Sequence, residues 1–172
     1  YVSGDVALSW ETVKFNYERG RMFTVDVMDD EETQNVAFGR LAGEFMRNKV
    51  VPEIDAFRFA QYAGTAGIST TAGADLADGS AVLSAITAGM SKMDEDEVPQ
   101  EGRILFITPT LARMVEALDT NKSREVLAGF SQIIRVPQSR FYTAIDLYDG
   151  TTNGETAGGY VKNANAKNIN FM

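Results

Sequence analysis

ALSWETVKFNYERGRMFTVDVMDDEETQNVAFGRLAGEFMRNKVVPEIDAFRFAQYA, residues Ala7 to Ala63, is the stretch on which the fold turns. Two segments read as strands, Val6 to Tyr17 and Arg21 to Met28, reversing at Glu18-Arg19-Gly20. The first alternates in two halves, Val6, Leu8 and Trp10, then Val13, Phe15 and Tyr17 after a slip of one residue, the mark of a bulge or strong bend. The second sets Met22, Thr24, Asp26 and Met28 against Phe23, Val25 and Val27. Gly20 suits the positive φ of a tight reversal. The pattern predicts an amphipathic β-hairpin whose charged tip, Glu18-Arg19-Gly20-Arg21, is either a solvated turn or a group that pairs with acidic residues on a neighbour.

Asp29-Asp30-Glu31-Glu32 then opens a helical pattern of about thirty residues, roughly 45 Å at about 1.5 Å per residue and far longer than an average helix. Carboxylates in a first turn offset the exposed N–H groups and the macrodipole, and a cation site is the alternative reading. Phe38, Leu41, Phe45, Ile54 and Phe57 form the predicted apolar stripe. Arg40 with Glu44, Glu44 with Asn48 and Asp55 with Arg58 stand at pairing distance on the polar side. Pro52 lacks the backbone donor, so a kink or break is expected near Asn48 to Val51. An arm joined to a long spine is an element suited to reaching neighbouring subunits.

Composition excludes several chemistries. The chain has 172 residues, no Cys and no His. A disulfide framework, a zinc finger, a Cys nucleophile and a Ser–His–Asp triad therefore fall away. The formal charge of −8 opposes non-specific binding to nucleic acid, and no basic stripe or nucleic-acid motif is present. No apolar run approaches the ~20 residues of a membrane span, and the start shows no secretory signal. No phosphate loop or dinucleotide fingerprint occurs, so no cofactor and no metal are expected. One ordinary domain or two small lobes fit the length.

Beyond the spine, Gly64 to Gly79 reads as a flexible connection. Asp78 is expected to cap a helix with Val82, Ile86, Met90 and Met93 on one face. Asp94-Glu95-Asp96-Glu97 opposes the helix dipole at its end, fails the calcium-loop pattern and reads as a fraying, solvated linker. Ile104 to Ile107 is a short apolar strand buried on both faces, followed by Thr108 as cap and Pro109 at the first helical position. That helix runs to Leu118 and buries Leu111, Val115 and Leu118. A helix is expected at Ser123 to Phe130 and a strand at Ile133 to Val136, whereas Phe141 to Tyr148 fits strand or short helix. Asp149 to Gly159 is a loop long enough to be mobile. Asn121-Lys122-Ser123 matches a glycosylation sequon, which carries little weight without a signal peptide. Ile169-Asn170-Phe171-Met172 looks like the opening of a strand cut short. With a start that lacks an initiator Met, it gives the chain the look of a piece of a longer protein, with a sheet edge left unpaired.

Arg19 to Ala63 resembles the extended loop and spine helix of the major capsid proteins of tailed bacteriophages, which share the Hong-Kong-97-type fold. Val98 to Glu116, VPQEGRILFITPTLARMVE, resembles the strand–Pro–helix unit of that family's axial domain, and NINFM resembles a later strand. The resemblance implies an α+β chain in three parts. Residues 1-30 would be the extended β-hairpin loop, 31-66 the spine helix of the peripheral domain, and 67-172 an α/β axial domain ending at the start of a strand. It implies a prophage or phage coat subunit, not an enzyme, that self-assembles in the bacterial host cytoplasm into the icosahedral shell of a virion. The partners it implies are copies of the chain in hexamers and pentamers, with a scaffolding protein and a maturation protease as further candidates. Trp10, Lys14, Tyr17, Glu18, Arg19 and Arg21 are the candidate subunit-interface residues. Some relatives join subunits through a Lys–Asn isopeptide bond, but neither Lys14 nor any Asn matches a motif for it.

Two other classes stand beside this one. An encapsulin-like nanocompartment shell shares the fold and would be marked by a cargo-docking groove. A carboxylate-dependent glycosidase would use two of Asp26, Asp29, Asp30, Asp146 and Asp149, roughly 5–10 Å apart with one pKa raised, and only Trp10 could serve as its Trp sugar platform. A self-standing binding module stays open, since the piece alone can be monomeric.

Overall fold

The computed structural model describes residues 4, 6–33, 36–71, 76–152, 154–155 and 157–172, without the side chains of Asp29 and Asp30. Helix and strand are mixed, as an α+β chain requires. The chain divides into two compact units, Tyr1–Leu41 and Ala42–Met172.

In the first unit the expected hairpin is absent. Residues 6–26 carry no strand, and Gly20 does not take a positive φ. A two-stranded ribbon is marginal in water unless its apolar face is covered, and among the described residues before α1 none is buried. Helix α1, Val27–Glu32, starts before the acidic cluster and takes it into its own turns, where Asp26 Oδ1 accepts from Met28 N at 3.0 Å. Helix α2, Val36–Phe45, follows after a turn at Thr33. The acidic cluster therefore ends a short helix rather than opening a long one.

In the second unit the expected break falls at a π-helical turn, Met46–Val50, directly before helix α3, Val51–Gly64. Val51 N–H donates to Met46 O, five residues back. Pro52 lacks an N–H and its ring crowds the carbonyl four residues earlier, so the wider turn absorbs one surplus residue. That residue also resets the helical phase. Phe45 and Phe57 would lie about 120° apart on an uninterrupted helix at about 100° per residue, and the surplus residue reduces this to about 20°.

The predicted stripe is the less covered side of the spine. Phe38 and Leu41 are exposed, Ile54 is 42 % exposed, and Phe45 and Phe57 are half-buried. The residues of α3 that meet the core are Ala56, Phe59 and Ala60. Two small alanines let the helix approach closely while Phe59 packs edge-on against Phe106 at 5.3 Å and Phe141 at 4.8 Å between ring centroids. Arg140 Nη1 donates to Asp55 Oδ2 at 3.1 Å and ties α3 to the single 3₁₀ turn Gln138–Arg140.

Helix α4, Gly79–Glu95, starts as expected, with the Asp78 side chain accepting from Ala81 N at 2.7 Å. Val82, Leu83 and Ile86 are buried, with Met90 packed at their edge. Gly79 is required by contact, because a Cβ there would stand 2.3 Å from Met114 O. Strand β1, Ile104–Ile107, leads into helix α5, Pro109–Glu116, then helix α6, Asn121–Ala128, and strand β2, Gln132–Arg135. β1 and β2 pair in parallel, Ile104 opposite Gln132 through Ile107 opposite Arg135. Thr108 precedes α5 in an extended conformation but caps with its backbone alone: its carbonyl accepts from Ala112 N at 3.0 Å, and its side chain makes no cap bond. The side-chain cap appears instead at α6, where Thr120 and Ser123 form a reciprocal capping box.

β1 is covered on both faces except at its start, where Ile104 is exposed. Leu105 and Ile107 join α4 and α5 in one core, with Leu111, Ala112 and Val115. Phe106 faces the other core of Phe59, Val136, Phe141 and Ile169. Strands β3, Ile145–Asp149, and β4, Gly158–Lys162, form an antiparallel hairpin, which resolves the ambiguous 141–148 segment as a turn and a strand. The final residues do extend the sheet: Phe106 and Met172 exchange N–H···O bonds at 2.8 Å, and Thr108 N donates to Asn170 O at 3.1 Å. β1 thus has β2 on one edge and the antiparallel segment ending at Met172 on the other.

Candidate assembly interface

Among the described residues before α1, none is buried, and only Phe23 and Val25 are half-buried. Leu8 is 81 % exposed, Trp10 91 %, Phe15 101 % and Met22 88 %. Fully covering one such side chain stabilises by about 1.5–3 kcal/mol, so this arm forgoes a large hydrophobic gain as long as it stays in water. A concentration of large apolar side chains at the surface marks a site of contact with another molecule.

All six candidate interface residues lie on this arm. Trp10, Lys14, Tyr17, Glu18, Arg19 and Arg21 are each exposed. The strand ladder that would have set them side by side is not formed, so the structure keeps Glu18, Arg19 and Arg21 together only as near neighbours in sequence. The Arg21 guanidinium sits 5.6 Å from the centre of the Phe23 ring, a cation–π placement that holds a positive charge over an apolar side chain.

Sequence reading missed how firmly the acidic linker is held. The Arg103 side chain is buried and bonds Val98 O at 2.7 Å, Pro99 O at 3.0 Å and Asp94 Oδ1 at 2.7 Å. Helix α4 ends with Val98 N donating to Met93 O and Glu97 N to Asp94 O, with Glu97 at φ 57°. That is a Schellman closure with Glu in the place glycine usually fills. The segment is pinned, not frayed. Its signal was Arg103 directly before an apolar strand, a position where a charge has to find partners.

The carboxylates weighed for catalysis are spread over different tasks. Asp26 caps α1, and Asp146 accepts from Asn163 Nδ2 at 2.8 Å. Asp149 accepts from Thr151 N at 2.7 Å and Thr152 N at 2.8 Å. Those backbone bonds, chiefly the one from Thr151, hold its carboxyl well below the usual carboxylate range. The Asp29 and Asp30 side chains lie outside the described residues. Glu155 Oε2 accepts from the amides of Asp149 and Gly150 and closes the same loop. Tyr160 donates its hydroxyl to Ser139 O at 2.9 Å, and partial burial raises its pKa.

Among the described residues no group of three or more Asp or Glu is placed to hold a metal ion, and no helix is long and apolar enough to cross a membrane. Comparison of the chain with protein-family models, with curated proteins and with solved structures found no match.

Proposed function

We propose that this chain is a coat subunit, the major capsid protein of a tailed phage or prophage with the Hong-Kong-97-type fold. It closes through hexamers and pentamers into an icosahedral shell around double-stranded DNA. The observation that carries the reading is the uncovered arm, where Leu8, Trp10, Phe15 and Met22 stand in solvent with no core of their own. A neighbouring subunit supplies the missing layer, and many modest repeated contacts make a closed shell. The acidic balance supports the same role, since a container of DNA must not adhere to its contents.

The exposed arm serves a nanocompartment shell equally well, and the contents of the particle separate the two: nucleic acid for a capsid, a protein cargo for a compartment. The glycosidase reading loses one candidate acid, because the Asp149 carboxylate is engaged by the turn and its pKa moves down, where a general acid needs it raised. Negative-stain electron microscopy on the intact open reading frame, with any scaffolding gene co-expressed, tests the proposal. Closed polyhedral shells or free hexamers and pentamers are expected. A clean monomer under those conditions overturns it.

A further inference from the structure

The π-helical turn and α3 keep one apolar side in water. Met46 is 56 % exposed, Val51 44 %, Ile54 42 % and Tyr62 49 %, and this side is turned from the buried Ala56, Phe59 and Ala60. The wide turn builds the stripe. On an uninterrupted helix Met46 and Ile54 would lie about 80° apart, and the surplus residue brings them within about 20°. Three cations accompany it, Arg47 and Lys49 in the turn and Arg58 in α3. All three are exposed, and among the described residues none forms an ion pair. Asp55, which helical spacing offers to Arg58, is taken by Arg140.

An occupant for this stripe has to be apolar over Val51 and Ile54 and acidic beside the three cations. Helix α1, VMDDEE, is such a segment, with four acidic residues and no basic one. Val27 and Met28 are each 71 % exposed, and Glu31 and Glu32 are exposed with no ion pair among the described residues. We propose that α1 of one copy docks on the stripe from Met46 to Tyr62 of a second copy. Val27 and Met28 then cover Val51 and Ile54, while Glu31 and Glu32 meet Arg47, Lys49 and Arg58. Opposite charges set the partner and the register, and the apolar pair supplies the buried area. The acidic linker after α4 fits less well, because Asp94 already meets Arg103 and Asp96 meets Lys92. The contact is heterologous, donor to acceptor, so each copy gives one helix and receives one. It rests on the neighbour contact proposed above and needs no closure into a shell.

Charge reversal in the full chain tests it, with self-association read by sedimentation. Arg47→Glu with Arg58→Glu reverses the acceptor, and Glu31→Lys with Glu32→Lys reverses the donor. Each reversed chain should associate about tenfold more weakly than wild type, and an equal mixture of the two should recover most of that loss. All four residues are exposed, and unchanged circular dichroism confirms the fold. Loss in both chains without recovery in the mixture overturns the proposal, and so does no loss in either. The chain has no native Cys, so single-cysteine variants place the contact. Met28→Cys and Val51→Cys chains mixed under mild oxidation should give a disulfide-linked heterodimer in yield about tenfold above Met28→Cys with Lys122→Cys, on the exposed start of α6. Equal yields, or a Met28→Cys/Val51→Cys chain that links only to itself, overturn it. Shells formed by the reversed chains as readily as by wild type overturn the contact and leave the coat-protein reading intact. Rescue and specific linkage in a chain that forms no shell support the contact and remove that reading.

Discussion

Arg103 shows how one buried cation organises a segment that composition alone presents as solvated charge. Its guanidinium satisfies two backbone carbonyls and the Asp94 carboxylate at once. Arg103→Ala removes all three partners together and should lower unfolding stability by about 2–4 kcal/mol, read from urea denaturation. Arg103→Lys should recover little of it, because a point charge cannot reproduce the planar fork. A loss below about 0.5 kcal/mol would show that the linker holds itself. Asp149 gives a second residue-scale expectation. Its folded pKa lies below that of the unfolded chain, so its contribution is fully present above the ordinary carboxylate pKa. That contribution is lost as pH falls toward the lowered value. A carboxyl titration followed by NMR should find Asp149 ionised to lower pH than an unstructured aspartate, and the Thr151 and Thr152 amide signals should shift with it. A midpoint at the ordinary value would contradict the hydrogen-bonded turn.

Elements differed in how far their sequence announced them. Asp78, Pro109 and the Ile104–Ile107 run are local signals, and the helices and strand they mark start where they were expected, although α5 ends at Glu116, short of Leu118, which is only half-buried. The spine was harder, because α3 is apolar on more than one side and periodicity does not say which side a body will cover. Ala56, Phe59 and Ala60 took the core position that Ile54 and Phe57 were assigned. The π-helical turn follows from Pro52, and Pro52→Ala is the direct check. The replacement restores a backbone amide at that position, which can bond the Asn48 carbonyl. The turn then tightens, and Phe45 rotates by about 100° relative to Phe57. Hydrogen exchange should show the restored amide protected, while the unfolding free energy stays within about 1 kcal/mol of wild type. A restored amide that exchanges as fast as one at the surface would mean the wide turn has another cause.

At the scale of the molecule, the sequence carried the α+β mixture but not the long-range pairings. β1 meets β2 and the segment ending at Met172 across chain separations that no local pattern encodes. The hairpin failed for a related reason: its alternation is real, but two strands by themselves are marginal in water. The six candidate interface residues are a proposal drawn from sequence, and the ladder that would have ordered them is not formed. Arg19→Glu with Arg21→Glu should leave the thermal midpoint unchanged within about 2 °C, since no described residue before α1 is buried, and should reduce particle yield at physiological salt. Shells formed in normal yield would remove the charged tip from the contact.

The exchange of bonds between Phe106 and Met172 also sets an order of events during synthesis. One edge of β1 stays open until Asn170 to Met172 have left the ribosome. The arm is made well before them, and roughly 140 residues separate the two, which at about 5–20 residues per second takes about 7–30 s. Throughout that time Leu8, Trp10 and Phe15 stand in water beside an unfinished body. Two nascent chains on one messenger could meet through their arms before either body closes. Holding such chains apart until each body has closed then becomes a task for chaperones, whatever the finished arms go on to bind.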